Sequence, residues 1–339
     1  MALEPATQSS ASTLRYSSSR GRAVVQTMDN LLPVAVTGNL SARRNLNRTW
    51  LGVFALAVLA CGLLIGLQGL LAMAGPVKIS ADTTGFLGLG VLGAIFANST
   101  GAGGGVVFIP AFAGLGFTET QAVATSFGIQ CFGMTAGAMT WTYYYRNEHH
   151  SSEHWQPFLP SVMLCTLLSA VGLWTVYGLN LNAPAAVGPM FAAFSLVLGG
   201  MILVTLLLKQ GTQTRSRLEP IDIVALSLIA LAGGAVTAWL SVGVGEFIAF
   251  YLILRRYNAT LSVATAVVVS ALTVWSAAPE QLLWGDQAVW QVIVFAGPGA
   301  LIGALIARHL VLKLGAQKLK LFFGSWLLVI GVVEFVPLG

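Results

Sequence analysis

Apolar residues run almost without interruption through long segments of the chain after residue 48, and polar residues collect in short gaps between those segments. Most of the segments hold ~20 residues, the number that an α-helix needs to cross a ~30 Å hydrocarbon core. The apolar runs do not alternate with polar residues, which favours helices over outer-membrane strands. The pattern predicts helical spans at residues 51–71, 121–144, 157–179, 184–208, 260–278, 288–307 and 317–336.

Two further apolar stretches, residues 84–114 and 220–254, are interrupted by glycine clusters. Each stretch is followed by three predicted spans, so the same order occurs twice after one extra span at the front. The residues repeat as well, because Gly-Ala-Gly-Gly at 101–104 corresponds to Gly-Val-Gly-Glu at 243–246. Internal repeats of this kind are typical of secondary transporters.

The composition agrees with a membrane location. Hydrophobic residues make up 56% of the 339 residues and charged residues only 9%, whereas a soluble domain carries ~25% charged residues. Lipid must therefore replace water around most of the chain. No Walker A motif is present and no soluble domain is large enough to bind ATP, which argues against a primary pump. We expect an all-α polytopic membrane protein.

The positions of Lys and Arg predict the topology, because these residues are retained on the cytoplasmic side. If each broken stretch enters and leaves on one face as a hairpin, every Lys and Arg except Lys78 lies on the side of the N-terminal tail. If each broken stretch crossed once, five of them would lie outside. The hairpin arrangement is therefore favoured, and it inverts the two repeats relative to each other. The predicted domains are the tail at 1–48, the extra helix within 49–78, the first repeat at 84–208 and the second, inverted repeat at 220–337.

The first 48 residues are rich in Ser and Arg and contain only Glu4 and Asp29 as acids. No apolar segment of a signal peptide follows a short basic start. The tail is interpreted as disordered and cytoplasmic, so the N-terminus of the membrane protein is expected to lie inside the cell. A transit peptide is the alternative, and it would direct the chain to an organelle membrane.

The two glycine clusters are the candidate substrate site. Each returning arm has about 12 residues, or ~18 Å of helix, which is too short to cross the membrane, so we expect the clusters to meet near its middle. A helix start there directs free N–H groups and the positive end of its dipole into a cavity, as an anion site does. Asn98, Ser99 and Thr100 before the first cluster and Ser241 before the second are expected to cap the returning helices. Close helix packing is the other reading of the glycines. The candidate binding residues of the clusters are Thr100, Gly101, Gly103, Gly104, Gly105, Ser241, Gly243 and Gly245.

Glu246 is the only acid that this topology places deep in the membrane. Intramembrane carboxylates are functional by default, so Glu246 is the candidate for coupling proton movement to anion movement. A structural carboxylate bonded to N–H groups of the glycine cluster is the alternative. Gln130 and Ser270 occupy equivalent positions in the helices that follow, ~14 Å from each helix start, and are candidate neutral ligands. Thr125 and Thr265, also equivalent, lie shallower and either bind substrate or only pack.

Cysteine and histidine add little. Cys61, Cys131 and Cys165 fall in apolar segments without metal-ligand spacing and are interpreted as buried thiols, Cys131 lying next to Gln130. The run from Glu148 to His154 has pairs at helical spacing, but it lies in a polar loop, so no metal and no cofactor is expected.

The segment GAGGGVVFIPAFAGLGFTETQAVATSFGIQ at residues 101–130 resembles the glycine-rich motif and following helix of the sulfite exporter TauE/SafE family of membrane permeases. The resemblance extends from Gly85 to about Pro337. It implies secondary transport of small sulfur-containing anions across a bacterial inner membrane. The second half departs from the family pattern, since Glu246 stands opposite Gly104 and Leu252 opposite Pro110.

The sequence thus predicts a permease and not an enzyme. It would move sulfite or organosulfonates by alternating access at the glycine clusters, with protons as a possible coupling ion. Its expected partners are a small anion, the lipid bilayer and a possible second copy, but not nucleic acid. The alternatives are an intramembrane enzyme, a seven-crossing receptor, or a permease for another small anion.

Overall fold

The computed structural model describes residues 81–207, 215–314 and 316–335. The predicted tail, the span at 51–71, Lys78 and Cys61 lie outside these residues. Within them the chain is helical throughout apart from turns and short links. The helices are α1 (Ala81–Thr100), α2 (Gly105–Gly114), α3 (Glu119–Tyr144), α4 (Phe158–Gly178), α5 (Val187–Leu207), α6 (Pro220–Leu240), α7 (Val244–Leu254), α8 (Ala259–Ala278), α9 (Trp290–Leu314) and α10 (Ala316–Phe335).

Both predicted breaks are present, between α1 and α2 and between α6 and α7. The first break comprises residues 101–104 and the second residues 241–243. Each begins with a left-handed residue, Gly101 at φ 83° and Ser241 at φ 59°. The chain geometry therefore aligns Gly101 with Ser241. This differs from the sequence correspondence of Gly101 with Gly243, because the second break is one residue shorter and its helix restarts earlier.

Glycine–carbonyl contacts join the two halves. Gly90 of α1 lies against the carbonyl of Ala296 in α9, and Gly299 of α9 lies against the carbonyl of Leu87 in α1. Each glycine thus touches the carbonyl three residues before its partner glycine. A methyl group at either position would overlap that oxygen. Such close approach of helix backbones is typical of small-residue packing in membranes.

The same reciprocal contact joins α4 to α6. Gly172 of α4 lies against the Leu231 carbonyl, and Gly234 of α6 lies against the Ser169 carbonyl. The Trp239 indole N–H donates to the Leu181 carbonyl at 3.0 Å, which places the end of α6 beside the end of α4. These two helices therefore run in the same direction, and each half contributes one member of each close pair.

Contacts between helix ends define two faces. Arg308, near the end of α9, donates to the Thr140 carbonyl at 3.1 Å near the end of α3, and Tyr144 packs edge-on against Trp155 just before α4. We call this side, which also carries Arg146, the arginine face. On the opposite face the start of α9 meets the start of α3, since Val289 N–H donates to Thr125 Oγ1 at 3.0 Å.

α1 runs with α9, because Gly90 meets Ala296 while Ser99 Oγ meets the Ala307 carbonyl further along both helices. α9 ends at the arginine face, whereas α4 and its parallel partner α6 begin there. α1 and α6 consequently run in opposite directions. The inverted repeat stays a prediction about the membrane, and these helix directions support it.

Buried acid–base contacts close the second broken stretch. Asp222, in the first turn of α6, is fully buried and accepts hydrogen bonds from Arg255 Nε at 2.6 Å and from Tyr257 Oη at 2.5 Å. Arg255 and Tyr257 directly follow α7. The start of α6 and the end of α7 therefore lie together on one face, as a hairpin requires.

Five segments of the described chain are long and apolar enough to cross a membrane. They are Glu153–Gly178, Val187–Leu206, Pro220–Leu240, Ala259–Trp284 and Trp290–Leu314. The predicted span at 121–144 forms helix α3 but does not reach this standard, and the predicted span at 317–336 contains the shorter apolar helix Leu321–Phe335. Other helices surround α3, so most of its residues, including Ser126 and Gln130, face protein instead of lipid. This burial allows α3 to carry polar side chains.

Candidate substrate site at the helix breaks

The two breaks touch each other. A Cβ placed on Gly105 would lie 2.6 Å from Val242 Cγ1 and 2.9 Å from the Ser241 carbonyl oxygen, so only glycine leaves room for the second break. A Cβ on Gly103 would lie 3.1 Å from the same carbonyl. The glycines of the first break thus admit the backbone of the second.

Glu246 bridges the two breaks. Its side chain is 4% exposed and projects from the first turn of α7. Oε1 accepts the N–H of Gly103 in the first break at 2.7 Å, and Oε2 accepts the N–H of Gly243 in the second at 2.9 Å. Hydrogen bonds to an ionised acceptor are roughly twice as strong as neutral ones. One carboxylate therefore holds the N-terminal ends of both returning helices.

Gln130 forms a second bridge from α3. Its Oε1 accepts the N–H of Gly104 at 2.9 Å. Its amide nitrogen lies 2.8 Å from Ser241 Oγ and 3.1 Å from the Ser241 carbonyl oxygen in the second break. Ser126, one turn earlier on α3, lies 3.0 Å from that nitrogen and accepts the Ser241 hydroxyl at 3.1 Å. Each half thus supplies a side chain that reaches the break of the other.

Three other predicted residues lie at the breaks. Thr100 Oγ1 donates to the Phe96 carbonyl at 2.8 Å and accepts the N–H of Ala102 at 3.2 Å. Ser270 approaches Gly245 so closely that a Cβ there would overlap both its hydroxyl and the Gly101 carbonyl. The buried Ser270 hydroxyl has no hydrogen-bond partner among the described residues.

The two shallow threonines differ in their contacts. Thr125 Oγ1 accepts the N–H of Val289 and so tethers α9. Thr265 is fully buried, and its hydroxyl has no partner within the part of the chain that the structure describes. The equivalent threonines therefore do not make equivalent contacts.

The expected capping of the returning helices is wrong in detail. Gly104 and Gly243 occupy the N-cap positions of α2 and α7, while Ser241 ends α6 instead. Asn98 donates to the Ala94 and Gly133 carbonyls at 2.9 and 3.3 Å, away from the N-cap of α2. Oxygen atoms of Glu246 and Gln130 take the place that the sequence assigns to caps, because only they reach across both breaks.

A cavity of about 230 Å³ adjoins the breaks. Glu246, Thr100 and Ala102 line its inner end. Its wall continues along the end of α5, along α7, and along the start of α8 toward the arginine face. Glu246 thus faces both the contact between the breaks and a space large enough for a small molecule.

The remaining sequence features lie elsewhere. Cys131 and Cys165 are buried. The run from Glu148 to His154 folds into short turns in which His149 stacks on Trp155 with ring centres 4.8 Å apart. No group of three potential metal ligands occurs among residues 81–207, 215–314 and 316–335.

Sequence reasoning missed two parts of the arrangement. Ser126 lies one helical turn before Gln130, a spacing that places both on one face of α3. Thr237, one turn before the second break, accepts the N–H of Val244 at 3.1 Å.

Comparison with known proteins agrees with this geometry. The model of the sulfite exporter TauE/SafE family matches residues 86–333, which include both breaks and all ten helices in whole or in part. The chain belongs to the TauE/SafE family. TauE/SafE proteins are membrane transporters, and this chain is accordingly a multi-pass membrane protein of a permease family. No curated protein and no solved structure matches it.

Proposed function

We propose that this TauE/SafE protein is a secondary transporter for small sulfur-containing anions such as sulfite or organosulfonates. It works by alternating access around the two breaks and couples anion movement to proton movement through Glu246. The arginine face and the N-terminus lie in the cytoplasm and the chain spans the cell (inner) membrane, because Lys and Arg are retained on that side.

The bridge made by Glu246 carries this proposal. The N-terminal ends of α2 and α7 favour a negative charge. In this structure the Glu246 carboxylate occupies that position, bonded to Gly103 and Gly243. It therefore stands where the sequence places the substrate anion.

A substrate anion and an ionised Glu246 repel each other at this position. A proton on Glu246 removes the charge and turns one of its acceptor oxygens into a donor, which weakens its bonds to Gly103 and Gly243. The N–H groups then become available to the anion. Anion binding thereby requires a proton, and loss of both restores the Glu246 bridge.

Flux through liposomes containing the purified chain tests the transporter function. Sulfite and sulfoacetate should both support uptake and counterflow, whereas a vesicle with only a cation gradient should show neither. Absence of any anion flux or counterflow would contradict the permease function.

Glu246→Gln tests the coupling. Sulfoacetate keeps its charge between about pH 6 and pH 8, so its flux reports the protein's own titration. Uptake by the natural chain should rise as the pH falls and should carry protons. Glu246→Gln should still exchange anions, because its neutral amide resembles the protonated acid, but its flux should be independent of pH.

Glu280→Gln is the matched control, since Glu280 lies in the turn after α8, remote from the breaks. Its pH profile should equal that of the natural chain. If Glu246→Gln kept both the pH dependence and the proton movement, Glu246 would have a purely structural role.

A further inference from the structure

The cavity beside Glu246 is large for an inorganic oxyanion. Its volume of about 230 Å³ is many times the ~10–15 Å³ that a cavity needs to hold one water molecule. A four-atom anion such as sulfite would fill only a small part of it. The rest would have to hold water.

The cavity wall is also largely apolar. Glu246 is its only charged lining residue within the described chain. Apolar side chains from six helices make up most of the wall, among them Phe96, Leu198, Ile202, Phe250, Val263, Val311 and Leu327. A hydrated inorganic anion would lose solvation against this wall without compensation, whereas an apolar chain is stabilised by leaving water.

Four hydroxyl groups line the wall; that of Thr260 lies at the start of α8, toward the arginine face, and the other three already donate to backbone carbonyls. Thr100 Oγ1 donates to the Phe96 carbonyl at 2.8 Å, and Thr205 Oγ1 donates to the Ile202 carbonyl at 2.6 Å. Ser99 Oγ lies 3.5 Å from the Ala307 carbonyl, which it approaches as a donor. A charged head group therefore finds its donors at the breaks, at the inner end of the cavity.

We propose that this cavity binds the apolar body of an organic anion whose charged head group lies at the breaks beside Glu246. The preferred substrate is a monovalent sulfonate or carboxylate with a short apolar chain, and inorganic sulfite is a poor one. This inference rests on the proposed anion transport and narrows its substrate class.

Binding of a homologous series to the purified full chain tests the proposal by calorimetry. The probes are sulfite, methanesulfonate, propanesulfonate and pentanesulfonate, with pentanoate to separate sulfonate from carboxylate heads. Affinity should rise about fourfold for each added methylene, as expected for ≈ 0.8 kcal/mol per buried CH₂. The increase should stop when the alkyl chain of the ligand fills the cavity.

Two variants of the cavity wall test where the alkyl chain of the ligand binds. Ile202→Trp narrows the cavity and should abolish the gain from propanesulfonate to pentanesulfonate while leaving methanesulfonate binding unchanged. Phe250→Leu widens it and should move the levelling to longer chains. Val204→Trp is the matched control on the same helix, because Val204 is 51% exposed and does not line the cavity.

The outcomes separate this inference from the proposed function. Tight sulfite binding that weakens with each methylene would overturn the inference and leave anion transport intact. Tighter binding of pentylammonium than of pentanesulfonate would overturn the anionic head group, and with it both proposals. A chain-length effect that Ile202→Trp and Val204→Trp alter equally would place the apolar body outside the cavity and overturn the inference. No binding and no flux of any anion would overturn the proposed function itself.

Discussion

Glycine is required at single residues where the two breaks meet. Gly245 leaves no space for a side chain, because a Cβ there would overlap the Gly101 carbonyl and the Ser270 hydroxyl. Gly101 and Gly243 are required for a different reason, since their φ angles of 83° and 140° are unfavourable for other residues. Space and backbone conformation thus select glycine independently at neighbouring positions.

Gly245→Ala should destabilise the contact between the breaks. Overpacking of a well-packed site costs about 1–3 kcal/mol, so the variant should melt at a lower temperature in detergent and lose anion flux. Gly200→Ala is the control, because a Cβ at Gly200 meets nothing within 4 Å and alanine favours a helix. Equal melting temperatures for the two variants would contradict the predicted overlap.

The sequence predicted much of the composition of the site at this scale. Glycine clusters and a single deep acid are visible in one dimension, so Gly103, Gly104 and Glu246 could be selected without a structure. Their hydrogen-bond partners could not be assigned, because the N–H groups within reach of the carboxylate depend on how helices from both halves pack together. The contact of Thr125 with α9 was unpredictable for the same reason.

At the scale of elements, α6 and α7 behave as one unit because their ends on the arginine face are tied together. Asp222 accepts the hydrogen bonds of Arg255 and Tyr257 and also that of Tyr251 Oη at 2.8 Å.

Glu219 forms ion pairs with Arg215 and Arg255 nearby. The hydrogen bond and charge of Arg215 lower the pKa of Glu219. The contribution of Glu219 to stability is therefore present above its ordinary pKa and is lost as the pH falls through the lowered value.

Asp222→Asn should loosen this unit strongly. Removal of one partner of a fully buried ion pair costs about 3–5 kcal/mol, and Asp222 has no exposed surface. Arg255 is 26% exposed and keeps its ion pair with Glu219, so the loss should lie at or below the lower end of that range. Glu219→Gln should have a much smaller effect, because the Glu219 side chain is 51% exposed and its ion pairs are screened by water. Thermal unfolding in detergent compares the two, and the hairpin closure would need another explanation if Glu219→Gln were the more damaging change.

The order of the helices was predictable from the apolar runs and the glycine clusters, whereas the residues at which each helix begins and ends were harder to predict. The exact ends of the helices at the breaks could not be read from the sequence, because glycines that end one helix and glycines inside the next look alike there. α3 satisfies its polar side chains against neighbouring helices, so hydropathy alone does not measure its place in the fold.

At the scale of the whole molecule, arginine residues at the described helix ends gather on one face. Arg146, Arg215, Arg255 and Arg308 all belong to helix ends that meet there. The loop between α4 and α5 lies on the other face and contains no Lys or Arg. The predicted orientation follows, with the arginine face in the cytoplasm.

Labelling of single cysteines tests this orientation. In a chain without its three natural cysteines, Asn147→Cys on the arginine face should react with a membrane-impermeant reagent only after cells are opened. Asn182→Cys in the loop between α4 and α5 should react in intact cells. Reaction at position 147 from outside would instead support broken stretches that each cross the membrane once.

The reciprocal glycine contacts also constrain the order in which the helices can pack during synthesis. α1 emerges from the ribosome long before residues 290–314, which form its partner α9, and α4 has to wait for α6. The first half therefore enters the membrane with both of its glycine surfaces bare, and it can only be completed by the second half. The two halves therefore pack against each other as the subunits of a dimer do, although they belong to one polypeptide. Folding in the membrane can be completed only after the second half has been synthesised.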